Sequence, residues 1–363
     1  MLRRIGIYAG FALLWALVIG VVICAERLTD EHVAKTTITA TEIAITGGGR
    51  NPLIDREAIE EWLAMKGLTP DGGTIANTDI AAIEQAILSH SAVASANVYT
   101  TYNGRVKIDI SQREPIARLR VSGYDMYLTG DGFIMPATDG RSVLVPVITG
   151  DYKPLFDPAF KGYVRDVVRD SIAALDRSFE ALEAAKLPHY EALQENNRNL
   201  RKVTSQGVER GIFTSDEEYE ILAEALKEKK SSARLAHSIR ERDIREQIAA
   251  IEAQQAEVRH TQKEVRRTEE DVERLIGLLL HIREDRFWSA EVVQLVATGD
   301  LSHPLQLEMV PRSGRFLVDL GTTERLEAKL RDLRRFYSNG LDNVGWDRYK
   351  SISLRYEGQV VCR

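Results

Sequence analysis

From Phe160 to Arg286 the chain holds almost no glycine and a single proline, Pro188, while Glu, Arg, Lys, Gln and Ala are dense. Those residues keep their rotamer freedom in a helix, and the residues that break helices are nearly missing. The first part of the stretch places Val164, Val168, Ile172, Leu175, Phe179 and Leu182 at spacings of three and four. The second repeats Ile244, Ile251, Val258, Val265, Val272 and Leu279 every seven residues. Both are coiled-coil stripes. The complementary seam of the second arm reads Ile248, Gln255, Gln262, Glu269 and Ile276, so the pairing is expected to be modest in strength. Pro188, Gly207 and Gly211 mark the region where the arms fold back on each other as an antiparallel hairpin. An unbroken second arm over residues 217–286 would extend about 100 Å. Residues 157–286 are thus read as a helical coiled-coil insertion.

A second constraint lies at the N-terminus, where residues 5–25 carry no charge and are mostly Ile, Leu, Val, Phe, Trp and Ala. About 20 helical residues match a hydrocarbon core of about 30 Å. Arg3 and Arg4 precede the run and Glu26, Asp30 and Glu31 follow it, which puts residues 1–4 in the cytoplasm and the bulk outside. A cleaved signal peptide is the competing reading, disfavoured because its apolar stretch is normally shorter and ends in small residues at the cut, whereas here Ile23 and Cys24 precede Ala25. Residues 26–35 form a polar stalk.

Between anchor and insertion the periodicity changes twice. Ile38, Ala40, Ile43 and Ile45 predict a strand. Asp55 caps a helix bearing Ile59, Trp62 and Leu63 up to Gly67, and Thr78 or Asp79 caps a second with Ile80, Ile83 and Ile87. Alternating residues flank Asn103-Gly104, a hairpin signal. Residues 36–114 therefore read β-α-α-β-β. Short apolar runs between turn signals then predict a β domain over 115–156, resumed over 287–363 with a helix capped by Thr323 and running to Tyr337. The chain is expected to finish as one strand through Ile352, Leu354 and Tyr356, either a free sheet edge or a strand that closes the sheet. The fold class is α+β: a transmembrane helix, a small α+β module, then a mostly antiparallel β domain interrupted by the helical hairpin.

Chemistry is hard to find. There is no glycine-rich phosphate loop, His-Glu-x-x-His, Cys-x-x-Cys or Gly-x-Ser-x-Gly. Two cysteines, Cys24 and Cys362, make no disulfide framework. His237, His260 and His281 sit on the charged helical stretch at spacings that do not stack as ligands. A net charge of −6 leaves no footprint for nucleic acid. The expectation is a non-enzyme without cofactor, metal, nucleic acid or small-molecule substrate.

The order of elements, Gln112-Arg113-Glu114-Pro115-Ile116, Gly132-Phe133-Ile134-Met135-Pro136, Phe287-Trp288, Val310-Pro311, Gly345-Trp346 and the ending from Ile352 to Cys362 resemble the FtsQ/DivIB family of bacterial cell-division proteins, in its Bacteroidetes-type branch. The resemblance leaves residues 157–264 without a counterpart. It implies that 36–114 is a POTRA module and that the β domain binds small coiled-coil partners, FtsB-like and FtsL-like, at the septum of the inner membrane. The topology implied is single-pass type II, with the bulk periplasmic. Carried over by position, the partner surface involves Ile352, Leu354, Arg355, Tyr356 and Gly358, with Arg331 and Arg334 on the preceding helix; Arg355 would meet a partner carboxylate. The alternative function is a POTRA-bearing envelope chaperone or transport component, disfavoured because one candidate module is present and no lipid-facing strands.

Overall fold

The computed structural model describes residues 15, 17–21, 35–48, 52–137, 143–211, 215–341, 345–346 and 348–363. The expected cytoplasmic tail, most of the expected membrane helix and most of the stalk lie outside them. Residues 15 and 17–21 are helical, and among the described residues no helix is long and apolar enough to cross a membrane.

The first unit follows the β-α-α-β-β order: β1 (Ala40–Thr46), α1 (Arg56–Met65), α2 (Ile80–Leu88), β2 (Val93–Thr101) and β3 (Arg105–Gln112). Asp55 and Asp79 cap the two helices, each accepting a backbone N–H at 2.9 Å from Ala58 and Ala82. Gly104 turns the hairpin at φ +71°, where an added Cβ would lie 2.3 Å from the Thr37 carbonyl oxygen. β3 lies between β1, parallel to it, and β2, antiparallel. Ile59, Leu63, Ile83 and Ile87 cover that sheet through Val98, Val106, Ile108 and Ile110.

The second unit is one ten-stranded sheet. β4 (Pro115–Val121), β5 (Tyr124–Thr129), β6 (Phe133–Pro136), β7 (Val147–Gly150) and β8 (Gly162–Tyr163) precede the long helices. α5 (Arg286–Glu291), β9 (Val292–Thr298), β10 (Gln306–Pro311), β11 (Leu317–Thr322), α6 (Leu326–Phe336), β12 (Ser351–Ser353) and β13 (Val361–Cys362) follow them. The spatial order is β13-β12-β11-β10-β9-β7-β4-β5-β6-β8, mostly antiparallel, with β4–β7, β7–β9 and β11–β12 parallel. The chain leaves the sheet at one edge, β8, and re-enters at its middle beside β7, pairing Val147 with Gln294 and Ile148 with Leu295. Segments either side of the helices thus share one sheet.

Between them stand α3 (Val164–Thr204) and α4 (Asp216–Glu284), 41 and 69 residues long, which is about 60 and 100 Å. They run antiparallel. Gln262 donates to Asp176 at 2.8 Å, Gln255 to Glu183 at 2.7 Å, and Asn196 to the His237 carbonyl at 3.0 Å. The polar positions of the seam therefore hold the arms together by hydrogen bonds. That register sets Thr204 level with the residues around Ser231, so residues 216–230 of α4 run past the end of α3.

Two corrections follow. Pro188 lies inside α3 rather than at the turn, because pairing along α4 outweighs the roughly 3 kcal/mol that an interior proline costs a helix. The interval expected to be helical from residue 157 contains β8, and the base of α4 belongs to the β core. Val265, Val272, Leu275, Leu278, Leu279 and Ile282 pack among Ile116, Leu128, Ile134 and Leu307. Arg113 ties the two units, its guanidinium 3.4 Å from the centre of the Phe133 ring, while Leu53 packs against Tyr127, Phe133 and Met135.

Candidate partner-docking site at the sheet edge

Strand alternation decides which residues of the last segment are available. Ile352 lies on β12 between β11 and β13, and both it and Leu354 are buried in the core. These two candidates serve folding, which corrects their assignment to a partner surface. The expected single terminal strand stops at Ser353. The Leu354 N–H donates to the Asp319 carbonyl at 2.8 Å, and Gly358 takes φ +65° in the turn that follows. Val361 and Cys362 then return antiparallel along β12, so β12 is interior and β13 is the edge.

Arg363 and Ser351 exchange both backbone bonds, at 3.0 and 3.1 Å. By the alternation of an antiparallel ladder, the N–H and C=O of Cys362 point away from β12, along the free edge. Burial pushes the Cys362 thiol above its ordinary range.

Arg355 meets a carboxylate of its own chain. Its Nε donates to Asp319 Oδ2 at 2.6 Å and its terminal nitrogen to Gln306 Oε1 at 3.0 Å, while Ser353 donates to the same Asp319 oxygen at 3.2 Å. An added Cβ on Gly321, at φ +66°, would stand 2.9 Å from Arg355 Cγ, so the glycine makes room for this side chain. Glu357 pairs with Arg325 at 2.6 Å. The turn is therefore fastened at both ends, and Tyr356 between the fasteners is 63% exposed.

Helix α6 borders the turn. Leu326, Leu330 and Leu333 face the core, and Lys329 donates to the Thr322 carbonyl at 2.7 Å, its pKa lowered by burial. Thr323 is not the cap: Arg325 occupies the N-cap in a left-handed conformation, and the buried Thr323 hydroxyl donates to Asp271 on α4. Asp271 also accepts the Leu305 N–H at 3.2 Å, so one carboxylate joins α4, the start of β10 and the start of α6. Arg331 is exposed. Arg334 donates to Asp285 at 3.0 Å and lies 4.9 Å from the Phe287 ring centre. Hydrogen bonds from the Trp288 and Phe287 amides, with the Arg334 charge, hold the Asp285 carboxyl below its ordinary range.

Sequence reasoning missed the carboxylates Asp319, Asp271 and Asp285. Asp285 had a signal, an Asp directly before Arg-Phe-Trp at a helix start. Asp319 alternates with apolar neighbours and carries none. Among the described residues no group of His, Cys, Asp and Glu could hold a metal ion.

Comparison with protein families gives two matches. Residues 36–111 match a POTRA-like domain, and residues 229–363 match the model described as FtsQ/DivIB, C-terminal related. The second match begins on α4, inside the interval expected to lack a counterpart, and takes in α6, β12 and β13. No curated protein matches. A POTRA-like module followed by a domain related to the FtsQ/DivIB C-terminus supports the resemblance of this chain to the FtsQ/DivIB family.

Proposed function

We propose that this chain is a non-enzymatic scaffold of the bacterial division machinery, anchored by residues 5–25 and holding small coiled-coil partners, FtsB-like and FtsL-like, outside the cytoplasm. The observation that carries the reading is the free edge at β13 beside an exposed Tyr356, within the family-matched segment. An extended partner segment can add a strand there, and Tyr356 offers a broad amphipathic contact beside it. Arg331 faces solvent on the neighbouring helix. Arg355 acts indirectly, by fixing the turn that presents Tyr356. The inner-membrane septum is where such a scaffold would work.

The test is co-purification of the full-length chain from membranes, comparing the native sequence with Tyr356→Glu. Small single-pass proteins with coiled-coil sequences are expected with the native chain and lost with the variant. Equal recovery with both would move the docking surface elsewhere.

A further inference from the structure

The two edges of the first sheet are protected in different ways. On β1, Arg56 donates to the Thr41 carbonyl at 3.2 Å, and Glu42 is paired with Arg105 and Lys107. β2 is the opposite edge, nine residues long, and no charged residue occurs from Ser91 to Gly104. A long neutral edge strand is a template for pairing with another chain, because its outward N–H and C=O groups have no ladder partner. The hairpin fixes which groups those are. Thr101 lies opposite Arg105 beside the turn, where its carbonyl accepts the Gly104 N–H at 3.1 Å. Alternation then turns the backbone groups of Tyr99 and Thr101 towards β3, and those of Ala96, Val98 and Thr100 towards the open side. One side chain stands on that side: Glu84 of α2 accepts the Val98 N–H at 3.1 Å, at the middle of the three outward residues. A strand arriving there has to displace a carboxylate from its hydrogen bond and cover it.

The strand itself says what would arrive. Laid antiparallel on β2 of a second copy about Val98, it pairs Val98 with Val98 and Ala96 with Thr100, each pair exchanging two backbone hydrogen bonds, and sets Asn97 opposite Tyr99 between them. No like charges meet along the strands, and the two three-stranded sheets would join into one. What does meet is Glu84 with its own copy: each carboxylate is bonded to Val98, so a two-fold axis through the Val98 pair brings both acids together. We infer that Glu84 seals a self-complementary edge, its carboxylate keeping β2 from pairing with β2 of a second copy of this chain.

The test uses the purified full-length chain in detergent. Sedimentation equilibrium is expected to give a monomer for the native chain and a dimer for Glu84→Ala at the same concentration. Glu84→Gln keeps the shape and an acceptor but removes the charge, and should dimerise about tenfold more weakly than Glu84→Ala, since one Val98 hydrogen bond must be given up in each copy. Thr100→Pro added to Glu84→Ala should return the monomer, because it deletes an outward N–H and leaves the bonds to β3 in place. Register is read by disulfide trapping in chains carrying Cys24→Ser and Cys362→Ser. Asn97→Cys mixed with Tyr99→Cys should cross-link in the Glu84→Ala background and not with Glu84 present. A Glu84→Ala chain that stays monomeric, a dimer that survives Thr100→Pro, or equal cross-linking with Glu84 in place would overturn the proposal.

Discussion

The base and the tip of α4 carry the same heptad rhythm and live in different surroundings. At the base, Val265, Leu275, Leu278, Leu279 and Ile282 are sunk in the core of the ten-stranded sheet, and Asp271 is bonded to Leu305 and Thr323. At the tip, Ile221, Leu235 and Ile239 face away from α3. Spacing makes a helix in both places. What the helix does is decided by what stands beside it: one end is a structural wall of the β domain, the other an arm whose outer face stands in solvent.

The contrast can be broken most forcefully by mutating its apolar residues at both ends. Leu279→Ala should cost about 3 kcal/mol, as fully buried Leu→Ala changes do, with the loss seen as a lower urea midpoint for the β domain. Leu235→Ala should change that midpoint by less than about 0.5 kcal/mol. Equal losses would mean that the tip is packed as firmly as the base.

A smaller effect is expected at the fastening between α4 and the sheet. Asp271→Ala leaves the Leu305 N–H and the Thr323 hydroxyl buried without an acceptor, for about 2 kcal/mol. Hydrogen exchange should then rise at the starts of β10 and α6 while the tip of α4 stays unchanged. A rise spread evenly along α4 would show that the base is not a separate cooperative unit.

The least disruptive probe is acid. The Asp285 carboxyl titrates below its ordinary value of about 3.9, so its stabilisation is complete above that value and fades as pH falls through the folded pKa. Asp285→Asn keeps a cap acceptor but loses the charge facing Arg334. It should be about 0.5 kcal/mol less stable at neutral pH, with a shallower acid limb in the urea midpoint. An unchanged acid limb would exclude Asp285 as a contributor.

How far the sequence speaks follows the same division. The first unit was legible because Asp55, Asp79 and Asn103-Gly104 are local signals with local consequences. The helices were legible from composition, although Pro188 was misplaced because tertiary pairing overrode a local rule. The docking site was the least legible part. Ile352, Leu354 and Tyr356 alternate as in a strand, yet the chain breaks after Ser353 because Asp319, more than thirty residues earlier, captures the Leu354 amide and the Arg355 side chain. Such a contact has no periodicity. Asp271 is hidden for the same reason, as an acid in a heptad pattern whose partners come from Leu305 and Thr323.

The division role itself is tested by depleting the protein from its own cells and following septation under the microscope. The account predicts that growth continues while constriction fails, giving elongated cells with segregated nucleoids, and that the native chain restores division where Tyr356→Glu does not. Normal septation after complete depletion would contradict it.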